Sequence, residues 1–277
     1  MSNRPTFNEI LYNVRERYRK NPKRGFDLED GNLFIIWVIR PLSIYMTPLF
    51  VMLGFSANAA TWTGAAFGFV GSVLIATGVP ICAEIGVWLY LICFIFDHID
   101  GNIARYYGKT NHYGKFLDGT AGLLVEIVLY LSMGIGAYRY YMSIPEKFGW
   151  PVPFEPSYLL LAGGLAAVAC VTTSYMSLRY STAVKQAAAS VPPKSSDTAG
   201  PTAKVAGVEG ASIKAAIRRI ENIVASVEIP LLFAAVYSNL LAWYVVLIAI
   251  YRVGMCALNY VRVLYGGRIT LGIRRDY

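Results

Sequence analysis

Six stretches of this chain stay apolar for about the length a bilayer demands, and that restricts the possible folds more than any other feature. They run roughly over 58–78, 82–104, 115–138, 157–180, 224–239 and 241–263, the fifth being the shortest. A helix rising about 1.5 Å per residue crosses the hydrocarbon core in roughly 20 residues. Of the 277 residues 56% are hydrophobic and the mean hydropathy is +0.46, well above soluble-domain usage. Lipid offers no partner for unpaired backbone N–H and C=O groups, so the spans must be helical. The expected fold is an all-α integral membrane protein with six transmembrane helices and an N-terminal amphipathic, juxtamembrane helix. Residues 1–57 would form the cytoplasmic basic helix and an interfacial segment, 58–265 the membrane domain, and 266–277 a cytoplasmic tail.

Segment 33–54 is also apolar, but Arg40-Pro41 falls near its middle and Pro48 follows. Proline removes a helical hydrogen bond, so an interfacial helix lying along the membrane fits better, with a tilted span as the alternative. Near the N-terminus, Phe7, Ile10, Leu11, Val14 and Tyr18 share one helical face, Arg15, Arg17, Arg19 and Lys20 take the rest, and Thr6 with Glu9 forms a capping box. Such a helix either lies on the inner leaflet or packs on the cytoplasmic face of the protein. Residues 187–212 are rich in Ala, Ser, Pro, Gly and Lys, the composition of a mobile loop without chemistry.

With residue 58 on the cytoplasmic side, every Lys and Arg except Arg139 and Lys147 is placed in a cytoplasmic segment or at its border, as the positive-inside rule requires. Both termini are then cytoplasmic. The net charge of +8 reflects this topology and anionic headgroups; the basic residues flank spans and form no single stripe, which argues against nucleic acid. Cys82, Cys93, Cys170 and Cys256 show no CxxC pair and read as small packing residues. The first 30 residues lack an apolar signal core, so no cleavable signal peptide is expected.

The chemistry concentrates in DHIDGNIARYYGKTNHYGKFLDGTAG, residues 97–122. Asp97 and Asp100, at i and i+3, share a helix face at the end of the second span, and Asp118 opens the third. Carboxylates are expensive near lipid, and the two at a helix C-terminus also oppose its dipole, so a bound cation or proton path is the usual reason for them. Three carboxylates at one depth, with Arg105, Lys109 and Lys115 around them, suit Mg²⁺ or Mn²⁺ holding a phosphate-bearing substrate. Gly101 and Ala104 would let that substrate approach the backbone, and Arg105 could grip a phosphate with its planar fork.

The pattern Asp97-x2-Asp100-Gly101-x2-Ala104-Arg105-x8-Gly114-x3-Asp118 resembles the signature of the CDP-alcohol phosphotransferases (CDP-alcohol phosphatidyltransferases). Weaker likeness lies in Arg40-Pro41-Leu42-Ser43, in Ser56-Ala57-Asn58-x2-Thr61, in Ser174-Tyr175 with Arg179, and in Glu228-x-Pro230. The resemblance implies a six-span homodimeric enzyme of phospholipid biosynthesis. It would move a phospho-alcohol from CDP-diacylglycerol or a small CDP-alcohol to a hydroxyl acceptor and release CMP. Asp97, Asp100 and Asp118 would hold metal, while Asp97, Gly101, Ala104, Arg105, Gly114, Asn58 and Thr61 would bind the nucleotide. The family pattern continues to a fourth aspartate, both ligand and base, where this sequence has Gly122. With it missing, one tight metal site is expected and a second completed mainly by the donor's pyrophosphate.

Asp118 is then the foremost catalytic carboxylate. Glu126, one turn beyond Gly122 and roughly 6 Å deeper, is a lesser candidate, its other fates being protonation or pairing with a neighbouring helix. His98 and His112 read as interfacial. Arg179, Lys185 and Arg218 are the candidates for binding a phosphorylated acceptor, yet Ile229, Leu231 and Leu232 leave such a clamp incomplete, which tilts the reading toward an unphosphorylated alcohol or a lipid hydroxyl. The alternative function is a catalytically silent relative that binds nucleotide or lipid. A membrane prenyltransferase would carry two separated acidic motifs, and an inverted-repeat transporter would show an internal repeat; neither is present. Gly64, Gly68, Gly71 and the Gly163-Gly164 pair permit close helix packing.

Overall fold

The computed structural model describes residues 5–20, 33–143, 153–189, 223–224 and 226–270. These residues are helical apart from short connections. In chain order they form α1 (Phe7–Lys20), α2 (Ile35–Met52), α3 (Ala57–Ala76), α4 (Pro80–Tyr106), α5 (His112–Ser143), α6 (Ser157–Ala189), α7 (Ser226–Tyr237) and α8 (Leu241–Thr270). Six of them, α2 to α6 and α8, are long and apolar enough to cross a membrane, so the chain is a multi-pass membrane protein.

The number agrees with the sequence expectation and the membership does not. Helix α2, expected along the interface, has spanning length, whereas α7, expected to span, covers only Ser226–Tyr237 among the described residues, roughly 18 Å and short of a span. Arg40-Pro41 does not interrupt α2. Residues Ile35–Ile39 form a π turn, and the Arg40 N–H reaches back five residues to the Ile35 carbonyl. Pro41 then occupies the first turn of the α-helical segment Arg40–Met52, where a missing N–H is tolerated.

Helix α1 starts with the expected capping box, Thr6 N donating to Glu9 Oε2 (2.8 Å) and Glu9 N to Thr6 Oγ1 (3.4 Å). Ile10 and Val14 are buried in one apolar cluster with Ile39 of α2 and Ile99 and Ile103 of α4. Of the two placements open to this basic helix, the structure takes the one packed on the protein. A second, larger cluster joins α5, α6, α7 and α8 around Tyr130, Met133, Leu232 and Val245.

The flagged glycines act inside the chain. A Cβ on Gly71 would stand 2.6 Å from the Gly86 carbonyl, and one on Gly134 only 2.7 Å from the Leu159 carbonyl, so α3 on α4 and α5 on α6 approach backbone to backbone. Gly64 and Gly68 likewise face α4 and α5, while Gly164 has open space. The four cysteines are free. Of the 187–212 loop, only 187–189 lie within the described residues, as the last turn of α6; the rest, and the tail beyond residue 270, lie outside them.

Candidate active site

The turn between α4 and α5 brings the carboxylates together. After Tyr106 the chain closes with Lys109 N donating to Ala104 O (2.9 Å) and Gly108 N to Arg105 O (3.2 Å), a Schellman stop. Gly108 supplies the positive φ (65°) that this stop requires. Asn111 Oδ1 then accepts from Gly114 N (2.6 Å) and caps α5. Reversal within so few residues faces the last turns of α4 with the first turns of α5, so Asp97, Asp100 and Asp118 line a single cavity of about 670 Å³.

Asp97 of α4 and Asp118 of α5 face the same space. Asp100 is 5% exposed and accepts a hydrogen bond from the Thr61 hydroxyl of α3 (2.5 Å). All three, with Thr61 and Gly122, also border a cleft of about 30 Å³, a space for one water-sized guest. Among the described residues no three His, Cys, Asp or Glu side chains are already drawn into a chelating group. The donor set nonetheless suits a hard cation: oxygen only, anionic, and gathered around a small cleft. Gly122 is exposed, and a Cβ there would meet nothing within 4 Å, so it adds no donor but leaves room for one.

Arg105 lies across Gly101, its Nη2 3.1 Å from where a Cβ would stand, which explains the glycine as clearance for the guanidinium. It donates from Nη2 to Asn102 Oδ1 (2.8 Å) and to the Tyr18 hydroxyl (3.2 Å), and Tyr18 in turn donates to Asn102 Oδ1 (2.7 Å). Asn102, buried, donates to Thr47 Oγ1 (3.0 Å). The partners of Arg105 are thus neutral, and its charge remains directed at the cavity, whose wall also includes Arg17 and Arg40.

The other residues singled out in the sequence divide. His98 lines the cavity with Nδ1 3.1 Å from Phe94 O. Ala104 and Gly114 shape the α4–α5 turn and line none of the cavities described here. Asn58, Arg179 and Lys185 are exposed and line none either, and His112 is exposed at the start of α5. Arg218 falls outside the described residues.

Glu126 belongs to a second, inner chamber of about 300 Å³ that shares Asp97 and Gly122 with the carboxylate site. Its Oε1 accepts from Arg252 Nη2 (2.5 Å) and lies 2.7 Å from the Tyr130 hydroxyl. Glu228 of α7 binds the same two groups, with Arg252 Nη2 at 3.0 and 3.1 Å and the Tyr130 hydroxyl at 2.8 Å. Pairing across helices is therefore the fate of Glu126. Arg252, assigned by the sequence count to a cytoplasmic segment or border, lies well inside the span Leu241–Leu264.

Sequence reasoning missed Tyr18, Asn102 and Arg252 as site residues. An arginine in one span and glutamates in or near others were a usable signal, since an intramembrane charge calls for a counter-charge. Tyr18 was legible only as an apolar-face residue of α1.

Comparison with known proteins yields a family match: residues 38–205 fit the family described as CDP-alcohol phosphatidyltransferase. No curated protein matches. Among solved structures, the phosphatidylinositol phosphate synthase of Mycobacterium tuberculosis in complex with manganese and citrate is 16% identical, with a TM-score of 0.49 over 82% of this chain and 89% of that chain. The same enzyme with CDP-DAG bound is 17% identical, with a TM-score of 0.48 over 82% and 93%.

Proposed function

Because this chain belongs to the CDP-alcohol phosphatidyltransferase family, we propose that it transfers a phospho-alcohol from a CDP-linked donor to a hydroxyl acceptor, with release of CMP, in phospholipid synthesis. The observation that carries this reading is the set of three carboxylates, from two helices, lining one cavity whose wall also holds three arginines. The donor's pyrophosphate is bound there, with CDP-diacylglycerol the first donor to try because the cavity opens from a membrane-spanning bundle. In this reading the mouth and both termini face the cytoplasm, and the chain works as a homodimer.

Asp97, Asp100 and Asp118 would hold Mg²⁺ or Mn²⁺, which would supply positive charge against the phosphoryl oxygens. Thr61 fixes the Asp100 carboxylate by donating its hydroxyl proton. Arg105, oriented by Asn102 and Tyr18, places its fork on a pyrophosphate oxygen. The acceptor oxygen forms a bond to the phosphorus bearing the donor alcohol, and the bond from that phosphorus to the CMP oxygen breaks. CMP leaves with that electron pair. The acceptor's proton passes to Asp118 and on to water; Glu126, held by Arg252 and Tyr130, is reserved for the inner chamber. Phosphoryl transfer of this loose kind depends more on positioning and charge than on a strong base.

The empty Gly122 position supports a second reading, a silent relative that binds nucleotide without turnover. CMP release by the lipid-reconstituted protein, with Mg²⁺ or Mn²⁺ and a panel of CDP donors and alcohols, decides between them. Under transfer, Asp97→Ala lowers release by about 10² to 10³. Nucleotide binding with no release from any donor would favour the silent relative.

A further inference from the structure

We infer that the inner chamber is the acceptor's binding site and that it takes an alcohol carrying no phosphate. This rests on the transfer reading and adds the substrate class. Asp97 and Gly122 border both the carboxylate cleft and the inner chamber, so a molecule in the chamber abuts the reacting centre. The chamber of about 300 Å³ has the size of a small polyol or a lipid headgroup.

Its polar wall selects by charge. Among the described residues that line it Arg252 is the one cation, and its Nη2 is taken by both Glu126 and Glu228. Whether or not one carboxylate holds a proton, the cluster has no net positive charge. An acceptor phosphate would meet two carboxylate groups around a guanidinium that is already paired. Hydroxyl groups suffer no such repulsion, and they can both donate to the carboxylates and accept from nitrogen. A further space of about 230 Å³ lies behind the same three residues, lined also by Thr173 and Ser174, and extends the chamber's hydroxyl-bearing surface. Of the basic residues a phosphorylated acceptor would have used, Arg179 and Lys185 are exposed outside it, and Arg218 falls outside the described residues.

The test offers the full-length protein in liposomes matched pairs: glycerol and glycerol phosphate, inositol and inositol phosphate, monoacylglycerol and lysophosphatidic acid. Two quantities are read, CMP release and the acceptor-induced shift in thermal unfolding midpoint. The phosphate-free member of at least one pair should be preferred at least tenfold in half-saturating concentration. Glu126→Gln with Glu228→Gln leaves Arg252 positive and should erase or reverse that preference without moving the donor's half-saturation; Glu228→Gln alone should move it part of the way if the double variant does not fold. Preference for a phosphorylated member in the unmodified protein, an unchanged preference in the variants, or no shift with any alcohol overturns the inference. Thermal shifts that discriminate as expected, with no CMP release from any donor, would leave the chamber assignment standing and remove the transfer reading instead.

Discussion

The cavity mouth and the inner chamber each hold an arginine among carboxylates, but the arginines are held differently. Arg105 is held by an amide oxygen and a phenol, neutral partners that orient it and leave its charge available. Arg252 is held by two carboxylates, which fix its position and cancel its charge. Hydrogen bonding to neutral groups builds an anion site, whereas ion pairing inside a membrane builds a polar wall that no longer attracts anions. On the proposed reading, two adjoining spaces in one bundle would discriminate opposite chemistries.

Breaking the inner pairing should have the largest effect. Arg252→Leu strands Glu126 and Glu228 in the bundle and should destabilise the protein by about 3–5 kcal/mol, read as a fall in thermal midpoint. Adding Glu126→Gln and Glu228→Gln to it should restore most of the loss; failure to do so would mean the arginine acts by packing. At the mouth, Arg105→Lys keeps charge but loses the fork, and the donor's half-saturating concentration should rise roughly 10- to 100-fold with stability little changed. Gly122→Asp enters open space, so the fold should tolerate it, and the metal concentration for half-maximal CMP release should drop about tenfold. An unchanged metal titration would show that the cleft has no use for a fourth carboxylate. The smallest effect belongs to Tyr18→Phe: losing one hydroxyl that steadies Arg105 should weaken donor binding by about fivefold, roughly 1 kcal/mol, and leave acceptor preference alone.

The carboxylate trio was legible because its members sit on two consecutive helices joined by a short turn, so spacing alone fixed their meeting. The same locality made the α1 capping box readable. Helix α2 was not: a proline reads as a break unless the π turn that accommodates it is seen, and that turn depends on packing against α1 and α4. Asn58 and Gly114 were carried into the nucleotide site by family likeness; the structure leaves Asn58 exposed and gives the Gly114 N–H to the Asn111 cap of α5.

By itself the sequence determined that this chain is a helical membrane protein, because lipid forces backbone bonds to close within each apolar segment, and that three aspartates share one end of the bundle, because a helix turn and a short loop are local geometry. Only the tertiary structure decided what meets across distant segments. Tyr18 reaches Asn102 and Arg105 from 84 and 87 residues away, and Arg252 finds Glu126 from 126 residues away. Those pairings follow from how the helices dock side by side, through glycine contacts and buried charge that must be matched in place, and no local pattern along the chain encodes which faces will touch.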